Sequence, residues 1–176
     1  MKSLRNGRSF RVVRRCLSDG CEKHGFRLVH FSLQGQHLHL VVEADDCQAL
    51  ARAMQGLSIR LARRLNRHLD RSGRLLADRY HCRVLRTPTE VRRALTYVLC
   101  NRRHHAAERG LRIERGWIDS YSSGPHFGGW CDLFRPPEAY AVGPPCTAQP
   151  RSWLMTAGWL RAGGRISVTT VPAGRA

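Results

Sequence analysis

Residues 26–44 read FRLVHFSLQGQHLHLVVEA, and the reading of this stretch decides the fold. Two β-rich runs, 26–34 and 37–44, flank Gly35-Gln36, a plausible tight turn, so they pair as an antiparallel hairpin. In the second run, alternation puts Leu38, Leu40 and Val42 on one face and His37, His39, Val41 and Glu43 on the other. The apolar set faces a core. Two imidazoles then stand side by side on the opposite face.

Outward from the hairpin, residues 8–24 are helix-like, with Phe10, Val13 and Leu17 at three-to-four spacing and Gly20 weakening the end. Asp45 and Asp46 cap a long helix reaching about Arg71. Its stripe of Leu50, Met54, Leu57, Leu61 and Leu65 faces the sheet. Residues 79–85 (RYHCRVL) predict a third strand, and Thr87-Pro88-Thr89-Glu90 opens the last helix with Pro88 in its first turn. An antiparallel sheet with packed helices follows: an α+β fold, ferredoxin-like in outline. These periodic segments occupy residues 1–135. Six of the eight prolines fall from Pro136 onward, so 136–176 reads as a Pro/Gly/Ala-rich, weakly ordered tail. Within it, WLMTAGWL (153–160) has the makings of a short helical turn or two.

Charge points to a partner. The formal net charge is +17, and only Lys2 and Lys23 among the 30 Lys+Arg are lysine. Arginine is the fork-shaped cation suited to phosphates, so a polyanion, nucleic acid first, is expected. On the long helix Arg60, Arg63, Arg64, Arg67 and Arg71 form a basic stripe with no acidic residue at i±4. Such a stripe repels itself unless a phosphate backbone lies nearby. No run of 18 apolar residues and no signal-like N-terminus is present, so no membrane association and a cytoplasmic location are expected. The seven cysteines form no C-x-x-C pair and read as free thiols.

His37 and His39, at i and i+2 on a strand, can hold one divalent cation, although H-x-H alone is a weak signal. On the last helix Tyr97 and Asn101 are i and i+4 and share a face. Tyrosine offers a nucleophilic oxygen, and asparagine a neutral oxygen ligand. Packed on the imidazole face, this helix would set a cation held by His37, His39 and Asn101 beside the Tyr97 hydroxyl.

These segments resemble the single-tyrosine HUH transposases (IS200-like), in particular the REP-associated tyrosine transposase branch. The resemblance covers about residues 4–131. It rests on LVHFSLQGQHLHLVVEA, on MQGLSIRLARRLNR with GRLLADRYHCRVL after it, on TPTEVRRALTYVLCNRRHH and on DSYSSGPHFGGW. It implies metal-dependent cleavage and rejoining of single-stranded or hairpin DNA through a 5′-phosphotyrosine, with Mg2+ or Mn2+ as the cation. Carried onto this chain, His37 and His39 match the HUH pair, Tyr97 the nucleophile and Asn101 the third ligand. Tyr80, Tyr121 and Tyr140 rank lower because none has a ligand-type side chain one turn on in a helix. The arginine stripe, with Arg79, Arg83 and Arg86 around the third strand, would hold the DNA.

Two departures stand out. Gln36 replaces the asparagine that relatives commonly carry before the first histidine. Relatives also carry a strand ahead of the region matching Ser3-Leu4-Arg5. The chain is therefore expected to lack the sheet's first strand, through truncation, decay or a misplaced start, leaving an edge beside the histidine strand open. The rival classes are a non-catalytic nucleic-acid-binding protein or decayed transposase fragment, and, third, a zinc protein, for which the cysteine spacing gives no closed ligand set.

Overall fold

The computed structural model describes residues 3–76, 80–131 and 143–172. Helix starts follow local chemistry. Asn6 accepts the Ser9 amide at 2.9 Å and opens α1 (Gly7–Ser18). Asp46 accepts the Ala49 amide at 2.6 Å and opens α2 (Cys47–His68). Thr87 and Glu90 cap each other reciprocally at the start of α3 (Pro88–Glu108), with Pro88 in the first turn. The expected first helix was too long: α1 stops at Ser18, and Glu22–Lys23 form a short strand, β1. Gly25, at φ +69°, makes the left-handed turn from β1 into β2 (Phe26–Leu33).

The sheet is an antiparallel meander, β1-β2-β3, with β3 spanning Leu38–Ala44. The architecture is α+β, as the hairpin and helix pattern implied. Pairing between β2 and β3 shifts between Leu28 and His30, so Val29 is an extra residue in β2. This bulge keeps Phe26, Leu28, Phe31 and Leu33 on one face although their sequence spacing breaks strict alternation. That face joins Leu38, Leu40 and Val42 under α1 and the Leu57, Leu61 and Leu65 stripe of α2. Val29 and Val41 occupy the other face, in a second core with Val91, Leu95, Val98 and Leu99 of α3.

Two expectations are corrected. Among the described residues no strand pairs with the outer edge of β3, and the expected third strand is absent: residues 80–85 are non-regular. RYHCRVL has β propensity, but a strand needs a ladder partner, and Tyr80 and Val84 stay exposed. Arg79 lies outside the described residues. The weak order expected of the tail does not describe 143–172. Proline content argued for it, but Met155, Trp159, Ile166 and Val168 bury against α3. The Ala148 amide bonds the Leu28 carbonyl at 2.8 Å, and Ile166 bridges Trp130. A four-residue helix, α4 (Trp153–Thr156), and a 3-10 turn at Gly158–Ala162 occupy the WLMTAGWL segment.

The loop 119–130 locks the first part of the chain. Asp119, buried, accepts both guanidinium nitrogens of Arg5 at 2.8 and 2.9 Å, and Arg5 also donates to the Leu33 carbonyl. Ser123 Oγ takes the Phe31 amide at 3.1 Å and lies 3.1 Å from Nδ1 of His30, whose ring meets Phe127 edge-on.

Burial pushes the His30 imidazole down from 6.5 to about 4, so it is neutral in the fold at pH 7. Between these values the unfolded chain binds a proton that the fold refuses. Stability is therefore undiminished above pH 6.5 and falls as the pH drops toward 4, by up to about 3 kcal/mol. Urea melts of wild type and His30→Gln across pH 4–7 test this. The variant should lose that part of the slope, and identical slopes would contradict it.

Candidate active site

The turn at Gly35-Gln36 closes the hairpin, with the Gln34 amide donating to the His37 carbonyl at 2.8 Å. His37 therefore sits at the exposed tip, and His39 lies one pleat on, paired across the ladder with Ser32. Their rings are 4.8 Å apart, edge to face. Both belong to the sheet face that α3 covers.

From α3, Tyr97 brings its ring to 5.2 Å from that of His39, also edge to face. Tyr97 is half-buried. One turn further, Asn101 is fully buried, and neither Oδ1 nor Nδ2 finds a hydrogen-bond partner among the described residues. A buried, unsatisfied amide is rare and costs about 1–3 kcal/mol. The next turn adds His104, 6.3 Å from the Tyr97 ring, and His105, 6.4 Å from the His37 ring. These two imidazoles flank Glu108, which the hydrogen bond from His105 holds below the usual carboxylate range. Sequence reasoning missed this second group. The signal was present in NRRHHAAE, where Glu108 follows the two histidines at i+4 and i+3.

The other tyrosines stand elsewhere. Tyr121 packs its ring 4.8 Å from Phe10 and lies 4.6 Å under the Arg5 guanidinium, in the α1–α2 core. Tyr80 is exposed in the non-regular segment. Tyr140 lies outside the described residues.

The arginines expected to meet DNA do not act alike. Arg64 pairs with Asp19 at the end of α1, and the Arg60 guanidinium lies over Gly20, where a side chain would collide with it. The stripe is thus partly compensated, from α1 rather than from its own helix. Arg63 and Arg67 are exposed. Arg67 and His68 line one wall of an open groove whose other wall carries Arg8, Arg11 and Arg15 of α1. Sequence reasoning did not single out those α1 residues. Arg71 donates to the Arg74 carbonyl at 3.1 Å, Arg83 pairs with Glu90 at 3.2 Å, and the Arg86 amide donates to the same carboxylate at 2.8 Å.

A family model described as transposase IS200-like matches residues 2–99, more than half of the chain. His37, His39 and Tyr97 fall inside the matched span. Asn101, His104, His105 and Glu108 lie just beyond it. No curated protein and no solved structure matches the chain. Among the described residues no helix is long and apolar enough to cross a membrane.

The orphaned amide of Asn101 makes a prediction about stability. Asn101→Leu removes a buried polar group at similar volume, so the metal-free protein should melt no lower than wild type. A loss exceeding about 2 kcal/mol in chemical denaturation would mean that the amide has a structural partner.

Proposed function

The chain belongs to the transposase IS200-like family, and from that premise we propose that it cuts and rejoins single-stranded or hairpin DNA through a 5′-phosphotyrosine at Tyr97. The observation that carries this reading is the contact between Tyr97 and His39. It is the tyrosine the described structure sets against the histidine pair, whereas Tyr121 serves the opposite core.

In the forward step the Tyr97 oxygen forms a bond to the scissile phosphorus as the bond to the 3′ oxygen breaks. The phenol loses its proton and the departing 3′ oxygen gains one. The phosphodiester energy is retained in the tyrosyl ester, so the 3′-OH of a second end can displace Tyr97 without a nucleotide cofactor. A free phenol has a pKa of about 10, so its proton must be helped off during attack. Helix α3 holds the ring edge to face against that of His39, which restrains the side chain that would attack.

A divalent cation fits the donors here. Two imidazoles and the oxygen of Asn101 are neutral ligands, and that oxygen is buried with no hydrogen-bond partner among the described residues. His37, His39 and Asn101 would hold it, and when bound, Mg2+ or Mn2+ polarises a non-bridging phosphate oxygen. Two imidazoles favour Mn2+ over the harder Mg2+. The exposed Arg63 and Arg67 of α2 supply sequence-independent attraction to the phosphate backbone.

End-labelled single-stranded hairpin DNA incubated with protein and Mn2+ tests the reading on denaturing gels. Wild type should give a covalent adduct and a cut strand. Tyr97→Phe should bind with unchanged affinity and give neither, and His37→Ala with His39→Ala should lose at least 100-fold in cleavage rate, about 3 kcal/mol of barrier. Binding without any wild-type adduct would return the chain to a nucleic-acid-binding role.

A further inference from the structure

We infer that His104, His105 and Glu108 form a second cation site, suited to a first-row transition ion such as Mn2+, beside the Tyr97 cluster and separate from His37, His39 and Asn101. One ligand atom from each lies within 4.8 Å of the others. Nδ1 of His104 sits 3.0 Å from the Pro172 carbonyl. A carbonyl only accepts, so this nitrogen carries the proton and Nε2 of the neutral ring presents its lone pair. That lone pair faces Oε1 of Glu108 at 3.3 Å. Two acceptors face each other there, and a positive centre must lie between them, either a second proton or a metal. The other carboxylate oxygen meets Nδ1 of His105 at 2.9 Å.

A metal ligand whose second ring nitrogen is anchored to a backbone carbonyl is the arrangement in which imidazole binds metals, because the anchor fixes tautomer and ring orientation. Pro172 supplies the anchor from the far end of the chain, which ties the carboxyl-terminal segment to α3. Two imidazoles and one carboxylate leave coordination positions open. Glu108 is more than half exposed, so water or a phosphate oxygen can reach them. Imidazole donors favour Mn2+ and the later first-row ions over Mg2+. The position lies close to the reacting group, with the His104 ring 6.3 Å from that of Tyr97. It does not depend on the phosphotyrosine reading, since none of its ligands takes part in that step.

Mn2+ alone, titrated into the 176-residue chain without DNA and read by loss of the free-ion EPR signal, tests the site. Manganese is chosen because it competes poorly for the free thiols. Wild type should bind two equivalents. His105→Ala with Glu108→Gln should lose one, while His37→Ala with His39→Ala keeps that one. Glu108→Gln alone, at an exposed side chain, guards against misfolding of the double variant and should weaken the same equivalent at least tenfold. Binding by both variants at wild-type stoichiometry and affinity would overturn the site. A single equivalent lost only with His37 and His39 would also overturn it and leave the Tyr97 reading intact. A single equivalent lost only with His105 and Glu108 would support it and remove the first cation from the proposed function.

Discussion

The extra residue in β2 is the constraint on which the rest of the molecule depends. Side chains of a strand alternate, so a one-residue slip exchanges its faces. Without the bulge at Val29, pairing that buries Phe26 and Leu28 under α1 and α2 would send His30 into that core and Phe31 and Leu33 out of it. With the bulge, both ends of β2 load the α1–α2 face, and Val29 and His30 turn to the α3 face. There His30 finds Ser123 and stays neutral. The same partition continues into β3, where Leu38, Leu40 and Val42 go under the first two helices and His39 goes to α3. The His37–His39–Tyr97 cluster lies on one side of the sheet and the α1–α2 core on the other.

The nucleophile proposed here sits on α3, and α3 is held at several points. The buried Arg103 donates to the carbonyls of Ile113, Glu114, Arg115 and Trp117, folding the following segment back on the helix. Arg92 donates to the carbonyls of Gly163 and Gly164 in the carboxyl-terminal segment. His104 reaches Pro172, and Glu43 of β3 accepts the Arg151 and Ser152 amides at 2.9 and 2.8 Å. Burial would raise the Glu43 carboxyl, but those hydrogen bonds outweigh it and hold the group below its ordinary range. Cys100, on the buried side of α3, has its thiol pushed up to about 12 by burial, so it stays protonated and unreactive at neutral pH.

Much of this was legible in residue order. Asp46, Thr87, Glu90 and Pro88 mark helix starts because capping is local, and the Leu57–Leu61–Leu65 stripe reports its burial through spacing alone. The α+β class followed from those patterns, whereas the meeting of α3 with the imidazole face was only a condition that the Tyr97–Asn101 spacing made worth asking about. Other features depend on tertiary partners that no local pattern carries. RYHCRVL looks like a strand, yet nothing pairs with it. The bulge at Val29 registers in sequence only as a break in alternation. Arg64 looked uncompensated because its partner, Asp19, sits on another helix. The proline-rich end looked loosely ordered because its large apolar side chains are few, and their burial depends on a helix some sixty residues earlier. His104 and His105 entered only as the end of the TPTEVRRALTYVLCNRRHH stretch, although the glutamate one turn on was the clue.

The central claim is that the sheet's partition selects Tyr97, rather than another tyrosine, to carry the covalent link to DNA. Mass spectrometry of the tryptic digest of the adduct tests it most directly, since Tyr97 falls in a fragment that holds no other tyrosine. The account predicts a nucleotide mass on residues 94–102, ALTYVLCNR, with fragmentation placing it on Tyr97. A nucleotide found on the peptide of Tyr80 or Tyr121 would contradict it.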